Sequence, residues 1–191
     1  FVQSLAEVLH IPVVLGRADA AAIPLTGIEA WARNVRYRFL QTTAEQHACP
    51  IVMTAHMADD QVETVLHHLF RGTGLGGVAG IPKVRPLGER VRLMRPLATV
   101  WRAEIETYLT SAGQSYCVDE TNADPQFRRN WLRHQLLPLI RTAYPEAPAA
   151  IWRLSQHAEA ATETLDFLAD DWLKRAILET SDERVLLDPQ V

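Results

Sequence analysis

Two adjacent aspartates, Asp59 and Asp60, a histidine before them at His56 and a glutamate after them at Glu63 crowd one short stretch of the chain. Three carboxylates and an imidazole suit a Mg²⁺ ion that keeps several waters and meets substrate phosphates. Acids packed this closely repel a bare triphosphate, so a metal or a cationic substrate has to stand between them. A plainer reading also exists. Asp60-x-x-Glu63 has the spacing of a capping box, and acids in a first turn are favoured by the helix dipole. One cap needs one aspartate, which leaves His56 and the second acid unexplained, so both readings stand.

The flanks say what must position these groups. Ile51-Val52-Met53 is an apolar run short enough for a strand buried on both faces. Val62, Val65, Leu66 and Leu69 are spaced i, i+3, i+4, i+7, one face of an α-helix, and Gly72 supplies its stop. Strand, polar corner (Thr54-Ala55-His56) and helix therefore follow one another, with the acids in the first helical turn. In open α/β sheets the carboxyl end of a strand is where ligands bind.

Around this unit the chain alternates. Residues 11–16 read as a strand and 17–24 as a loop. Thr26 caps a helix whose stripe is Ile28, Trp31, Ala32, Val35 and Phe39. Residues 91–97 read as a strand stopped by Pro96. Thr99 opens a helix with Trp101, Ile105, Tyr108, Leu109 and Ala112 inward and Gly113 at its end. Tyr116, Cys117 and Val118 are a short strand candidate. Strands alternating with helices argue a mostly parallel sheet with helices on both faces. Gly72, Gly74 and Gly77 spell a literal GxGxxG, but a helix before it and Ile81-Pro82 after it are the wrong context for a dinucleotide fingerprint. The segment reads either as a flexible loop able to pack over a nucleotide or as a plain helix-to-strand connection.

The cations are grouped as well. Arg33, Arg36 and Arg38 flank the first stripe. Arg36, four residues after Ala32, sits at the edge of the buried face, where a long side chain can snorkel toward a cleft. Residues 119–125 form a turn-rich hinge, with Asp124 as N-cap and Pro125 at the first helical position. From 125 to 145 the chain carries Arg128, Arg129, Arg133, Arg141 and His134 and no acid, a basic stripe suited to a phosphate partner. Arg129 and Arg133, four apart, act together while Arg128 points elsewhere. Residues 147–179 make a long acidic helix with a seam of Ile151, Leu154, Ala158, Ala161, Leu165, Leu168 and Trp172.

Composition narrows the class. The chain has 191 residues, 48% of them hydrophobic, enough for a packed core. No run approaches the roughly 18 apolar residues of a membrane span. A net charge of −4 gives no global pull on nucleic acid, so any such contact needs a local patch. Cys49 and Cys117 are far apart without CxxC spacing, which argues against a zinc site or an iron–sulfur cluster. A reduced, cytoplasmic protein is the default. Phe1 opens what looks like the tail of a helix already under way, so the chain is expected to begin inside a fold.

Four ordered motifs, GIEAWARNVRYRFL (27–40), TAHMADDQVETVLHHLFRGTGLGGVAGI (54–81), RPL (95–97) and DETNADPQFRRNWLRHQLLPLI (119–140), resemble the tRNA(Ile)-lysidine synthetases. These are N-type ATP pyrophosphatases of the PP-loop superfamily, and the resemblance covers about residues 1–140. It implies an α/β fold, a parallel sheet flanked by helices of the adenine nucleotide alpha-hydrolase type, followed by a long linker helix and the start of a helical domain. Residues 1–122 would be the remainder of the catalytic domain and 123–146 the basic helical segment completing it. Residues 147–191 would be the long helix and the start of a second domain.

The resemblance also implies a chemistry, with ATP and Mg²⁺ as cofactors. ATP adenylates the C2 oxygen of the wobble cytidine of an isoleucine tRNA, releasing pyrophosphate; the side-chain amine of free L-lysine then attacks that carbon and expels AMP. No membrane is involved, and a homodimer is left open. By position, Asp60 and Glu63 match the family's essential acids, contacting Mg²⁺ or the lysine ammonium, with Asp59 beside them in the metal set. Arg36 matches the arginine of an RxxRY helix and Arg129 that of an RN segment, both catalytic and facing phosphates. His56 joins Arg36 in the ATP site, and Arg128, Arg129 and Arg133 form the tRNA site. The family's Ser-Gly-Gly-x-Asp-Ser phosphate loop is not among these residues; its natural place is upstream of Phe1. The chain is therefore expected to be a fragment that alone binds ATP poorly and makes no lysidine. The alternatives are a tRNA cytidine thiolase, which should show paired cysteines, a non-catalytic tRNA-binding remnant, and a generic α/β scaffold with capped helices.

Overall fold

The computed structural model describes residues 1–117, 128–180 and 184–188. In chain order the elements are α1 (Val2–Val8), a 3₁₀ turn (Ala20–Ala22), α2 (Ile28–Gln46), β1 (Ile51–Met53), α3 (Ala58–Leu69), α4 (Leu75–Val78), β2 (Val84–Pro86) and β3 (Arg92–Met94). Then come α5 (Arg102–Ser111), α6 (Arg128–Trp131), a π-helical turn (Leu132–Leu136), α7 (Leu137–Ala143), α8 (Ala147–Ala176), β4 (Ile177–Thr180) and β5 (Val185–Leu187). Contacts divide them into two compact units, Phe1–Met57 with Lys83–Glu120 and Ala58–Pro82 with Thr121–Val191.

The first unit is built on a three-stranded sheet of order β1-β3-β2. β1 runs parallel to β3, with Val52 opposite Leu93, and β2 runs antiparallel to β3, with Arg85 opposite Leu93. The Thr54 amide donates to the Met94 carbonyl at 3.0 Å, which carries the parallel pairing one residue past β1. Leu93 is fully buried and gathers Tyr37, Leu40, Ala44, Val52, Leu87 and Val91 around it. The sequence expects β1 to be buried on both faces. Among the described residues it lies at the end of the sheet, and only Val52 reaches the core while Ile51 and Met53 are exposed.

α2 has two working faces. Tyr37, Leu40 and Ala44 point into the core, whereas the expected stripe of Trp31, Val35 and Phe39 is half-buried beside Gly16 and Ala18. A β-carbon on Gly16 would stand 2.6 Å from the Phe39 ring, so the chain passes there only because the residue is glycine. Residues 11–16 form no strand: Pro12 removes a ladder donor, and Val13 and Val14 are exposed. Gly27 (φ +72°), not Thr26, is the N-cap of α2. α5 starts at Arg102, not Thr99, and the Glu104 carboxylate accepts the Trp101 amide at 2.7 Å. Tyr108, expected inward, is exposed. Tyr116 and Cys117 are not in a strand; Val118 and the 119–125 hinge with Asp124 and Pro125 lie outside the described residues.

In the second unit α3 is buried at every residue from Gln61 to Leu66. α8 packs against α3 and α4 through its first half, where Ser155 and Ala158 are buried. A 30-residue helix is about 45 Å long, far more than α3 and α4 can cover. From Glu163 to Arg175 every residue is exposed, Leu165, Phe167, Leu168 and Trp172 included, so the seam read from the sequence is buried only at its start. After α8 the chain turns into the antiparallel hairpin β4–β5. No helix follows α8 among the described residues, where the start of a helical domain was expected. Among the described residues no helix is long and apolar enough to cross a membrane.

Candidate active site

α3 begins at Ala58, which puts Asp59 and Asp60 in its first turn, where the unsatisfied amides favour anions. Asp60 is therefore not the N-cap, and Glu63 does not fold back on a first-turn amide. Glu63 is 2% exposed and turns to Arg133 instead. Arg133 Nε donates to its Oε1 at 2.6 Å and Nη2 to its Oε2 at 3.0 Å. Asp60 Oδ1 lies 3.7 Å from the same Nη2. The capping box of the sequence gives way to a bidentate guanidinium–carboxylate pair, the strong form of a charge-assisted hydrogen bond, with a second carboxylate beside it.

Arg133 reaches Glu63 from the π-helical turn between α6 and α7. Pro138, at the start of α7, has no N–H for the carbonyl four residues back. The chain widens just before it, and the Leu137 amide bonds to the Leu132 carbonyl, five residues back. Such turns re-aim side chains and recur at functional sites. Burial pushes the Glu63 carboxyl above its ordinary value against the opposing pull of Arg133. Burial would lower Arg133, but Glu63, Asp60 and Asp59 outweigh it and hold its proton more tightly.

The metal expectation fares differently from the acid expectation. Among the described residues no three of His, Cys, Asp and Glu form a group that could hold a metal ion. Both Glu63 oxygens are engaged by a cation. As placed, Glu63 and Asp60 face a nitrogen cation, the Arg133 guanidinium.

Arg128 and Arg129 are exposed in α6. Their charge is felt at His67, near the end of α3, whose imidazole is lowered by burial first and then by Arg71, Arg129, His68 and Arg128. Arg71 Nη1 stands 3.3 Å from His67 Nε2. This corner is basic on two elements, whereas Arg133, placed by the sequence in the tRNA set, is turned inward to Glu63.

Arg36 and His56 belong to the first unit. His56 Nδ1 is 3.0 Å from Thr54 Oγ1. Arg36 lines a cavity of about 290 Å³ with Gly16, Arg17, Trp31 and Phe39. Its guanidinium also lies 5.4 Å from the centre of the Tyr37 ring, with Arg33 at 5.4 Å and Arg85 at 4.9 Å. Arg95, just past the carboxyl end of β3, is 3% exposed and faces the Tyr37 hydroxyl. Burial would raise the Tyr37 phenol, but Arg95, Arg33 and Arg36 outweigh it and hold it below its usual value of 10.0. Three guanidiniums over one ring, with a fourth buried beside it, concentrate positive charge here.

Sequence reasoning passed over Gln61, which sits in the buried helix between the two acids. Its Nε2 donates to the Ala79 carbonyl at 2.6 Å and to Ser155 Oγ at 3.1 Å, and its Oε1 accepts the Ile81 amide at 2.7 Å. The signal was its place four residues before Val65, beside the apolar stripe of α3. The glycine-rich segment was expected to be a flexible loop or a plain connection. It contains the helical turn α4, tied to α3 by Gln61 and by His68 Nδ1, 2.7 Å from the Gly77 carbonyl.

The comparisons agree with this architecture. The family model described as the PP-loop domain matches residues 1–140. A tRNA(Ile)-lysidine synthase of Rhodopirellula baltica is 37% identical over 179 residues, 91% of this chain and 45% of that protein. One from Nitrosomonas europaea is 39% identical over 172 residues, 89% of this chain and 37% of that protein. The chain thus spans less than half the length of these curated relatives. Among solved structures, a U34-tRNA thiolase (NcsA) of Methanococcus maripaludis with its [4Fe-4S] cluster has a TM-score of 0.60 at 16% identity, covering 83% of this chain and 55% of that one. That likeness concerns the fold. With the model matching residues 1–140 of 191, this chain belongs to the PP-loop domain family.

Proposed function

We propose that this chain is the ATP-using part of a tRNA(Ile)-lysidine synthetase, which joins free lysine to C2 of the wobble cytidine of an isoleucine tRNA. The observation that carries the reading is the Asp60–Glu63–Arg133 arrangement in a chain whose curated relatives bear that name. The first step needs positive charge around a polyphosphate, and Arg36 in its ring of guanidiniums supplies a surface of that kind. The second step needs an ammonium group held near the base and relieved of a proton before its nitrogen can bond to C2 and AMP can leave. Carboxylates already arranged around a nitrogen cation suit that task. Arg128 and Arg129 are exposed, which suits contact with tRNA phosphates.

The thiolase alternative has no observation in its favour beyond the shared fold, and Cys49 and Cys117 are both exposed free thiols. The test is lysidine formation by the full-length protein with tRNA, ATP and lysine. Asp60→Asn and Glu63→Gln should each abolish turnover while circular dichroism keeps the wild-type helical signal. Wild-type rates in either variant overturn the assignment.

A further inference from the structure

We infer that Gln61 is a positioning residue that couples the long helix α8 to the acid–arginine pair. Its three hydrogen bonds reach two separate elements besides its own. The amide nitrogen gives one proton to Ala79 and the other to Ser155, and the amide oxygen takes the Ile81 proton. Gln61 is 4% exposed and Ser155 is fully buried. Ser155 is itself fixed, its hydroxyl donating to the Trp152 carbonyl at 2.8 Å. The side chain therefore has one conformation available: any rotation of α3 about its axis, or any slide along α8, breaks at least one buried hydrogen bond.

Asp60 and Glu63 lie on the same two turns of helix as Gln61, one residue before it and two after. Fixing the rotation of α3 at Gln61 fixes where both carboxylates point, and hence the geometry they offer Arg133. Gly80 completes the lock. A β-carbon there would lie 2.8 Å from both polar atoms of the Gln61 amide, so position 80 is shaped to admit that side chain. α8 is a stiff rod whose outer half stands in solvent. A load on that half is carried through Ser155 and Gln61 to the carboxylates.

The functional part of this inference rests on the reading of Asp60 and Glu63 given above, so the decisive measurement does not use turnover. Hydrogen exchange of the Arg133 Nε–H, which donates to Glu63 Oε1, is followed by NMR in the full-length protein. Gln61→Met keeps the volume and removes the hydrogen bonds; Ser155→Ala removes the α8 end of the link without touching Glu63 or Arg133. Exchange should accelerate about tenfold in Gln61→Met and several-fold in Ser155→Ala, the scale set by one buried hydrogen bond. It should stay unchanged in Thr162→Ala, whose hydroxyl bonds only back to the Ala158 carbonyl along α8. Exchange within twofold of wild type in Gln61→Met overturns the coupling; if that variant does not fold, unchanged exchange in Ser155→Ala overturns it instead. In turnover assays kcat should fall at least as far as exchange rises while KM for ATP holds, which loss of general stability would not produce. Turnover that survives Asp60→Asn sinks the reading of the acids and leaves exchange to decide the coupling.

Discussion

Replacing Arg133 with methionine tests the physical core of the site. The substitution keeps most of the apolar stem and removes a guanidinium that makes two hydrogen bonds, 2.6 and 3.0 Å long, to a carboxylate only 2% exposed. Opposite unit charges at about 4 Å attract by about 4 kcal/mol at the effective dielectric of a partly buried site. Breaking such a pair by removing one partner costs about 3–5 kcal/mol, because the other charge is stranded. Arg133 keeps a quarter of its side chain exposed, so the lower end, about 3 kcal/mol, is the expected loss. For a chain of this size that is a fall in Tm of about 6–12 °C.

The pH dependence makes the prediction specific. Burial already raises the Glu63 carboxyl, and Arg133 is the main group opposing that rise. Without Arg133, with Asp60 still beside it, the folded pKa climbs further above the unfolded value of 4.5. Folded Glu63 then keeps a proton that the unfolded chain has released. Stability of the variant should fall as pH rises from the ordinary carboxyl range up to the raised folded pKa, by up to about 1.4 kcal/mol per pH unit, and level off above it. Urea unfolding at a series of pH values reads this directly. The double variant Glu63→Leu with Arg133→Met should recover to within about 1 kcal/mol of wild type, since an apolar pair replaces a buried ionic one at little net cost. A loss under about 1 kcal/mol in Arg133→Met, or stability that does not fall with rising pH, would refute the reasoning.

Two further outcomes follow from other parts of the molecule. Gly80→Ala meets a positive φ of 74° and a close amide at once, so it should cost about 1–2 kcal/mol on left-handed strain alone, read as a lower Tm, and an unchanged Tm would refute the lock around Gln61. Removing Arg128 and Arg129 together should weaken tRNA binding and flatten the slope of log K against log salt by about 0.7–0.9 per arginine, and an unaltered slope would remove them from the RNA surface.

The sequence disclosed most where a pattern was local. The helix after β1 and the acids in its first turn were legible because an i, i+3, i+4, i+7 stripe and a glycine stop need no knowledge of the rest of the fold. The strand at residues 51–53 was legible, but its exposure among the described residues was not, because that depends on which strands pair and not on Ile51-Val52-Met53 themselves. The same limit hid the destination of Glu63. Asp60-x-x-Glu63 spacing is equally compatible with a cap, and only the return of the chain seventy residues later, on a widened turn before Pro138, brings Arg133 into reach. Tyr37 was overlooked for a related reason: the stripe through Trp31, Val35 and Phe39 was the stronger pattern on α2, yet Tyr37, Leu40 and Ala44 fill the core.

The two acids that the sequence treats alike are made unlike by the fold, and the difference assigns them different work on the proposed reading. Glu63 has both oxygens on one guanidinium and almost no exposure; an incoming ammonium would have to displace Arg133 to reach it, at the cost worked out above. Asp60 shares the same guanidinium only at 3.7 Å and has 19% of its side chain open. That exposure lets a small cation approach Asp60 without displacing Arg133 from Glu63. Glu63 is then the group that fixes Arg133, and Asp60 the carboxylate that meets the amine. If so, Asp60→Asn should abolish turnover through loss of lysine binding at modest cost in stability, while Glu63→Gln should lower stability more than Asp60→Asn does. Equal stability losses in the two variants would mean that the difference in burial has no consequence, and the division of labour would fall with it.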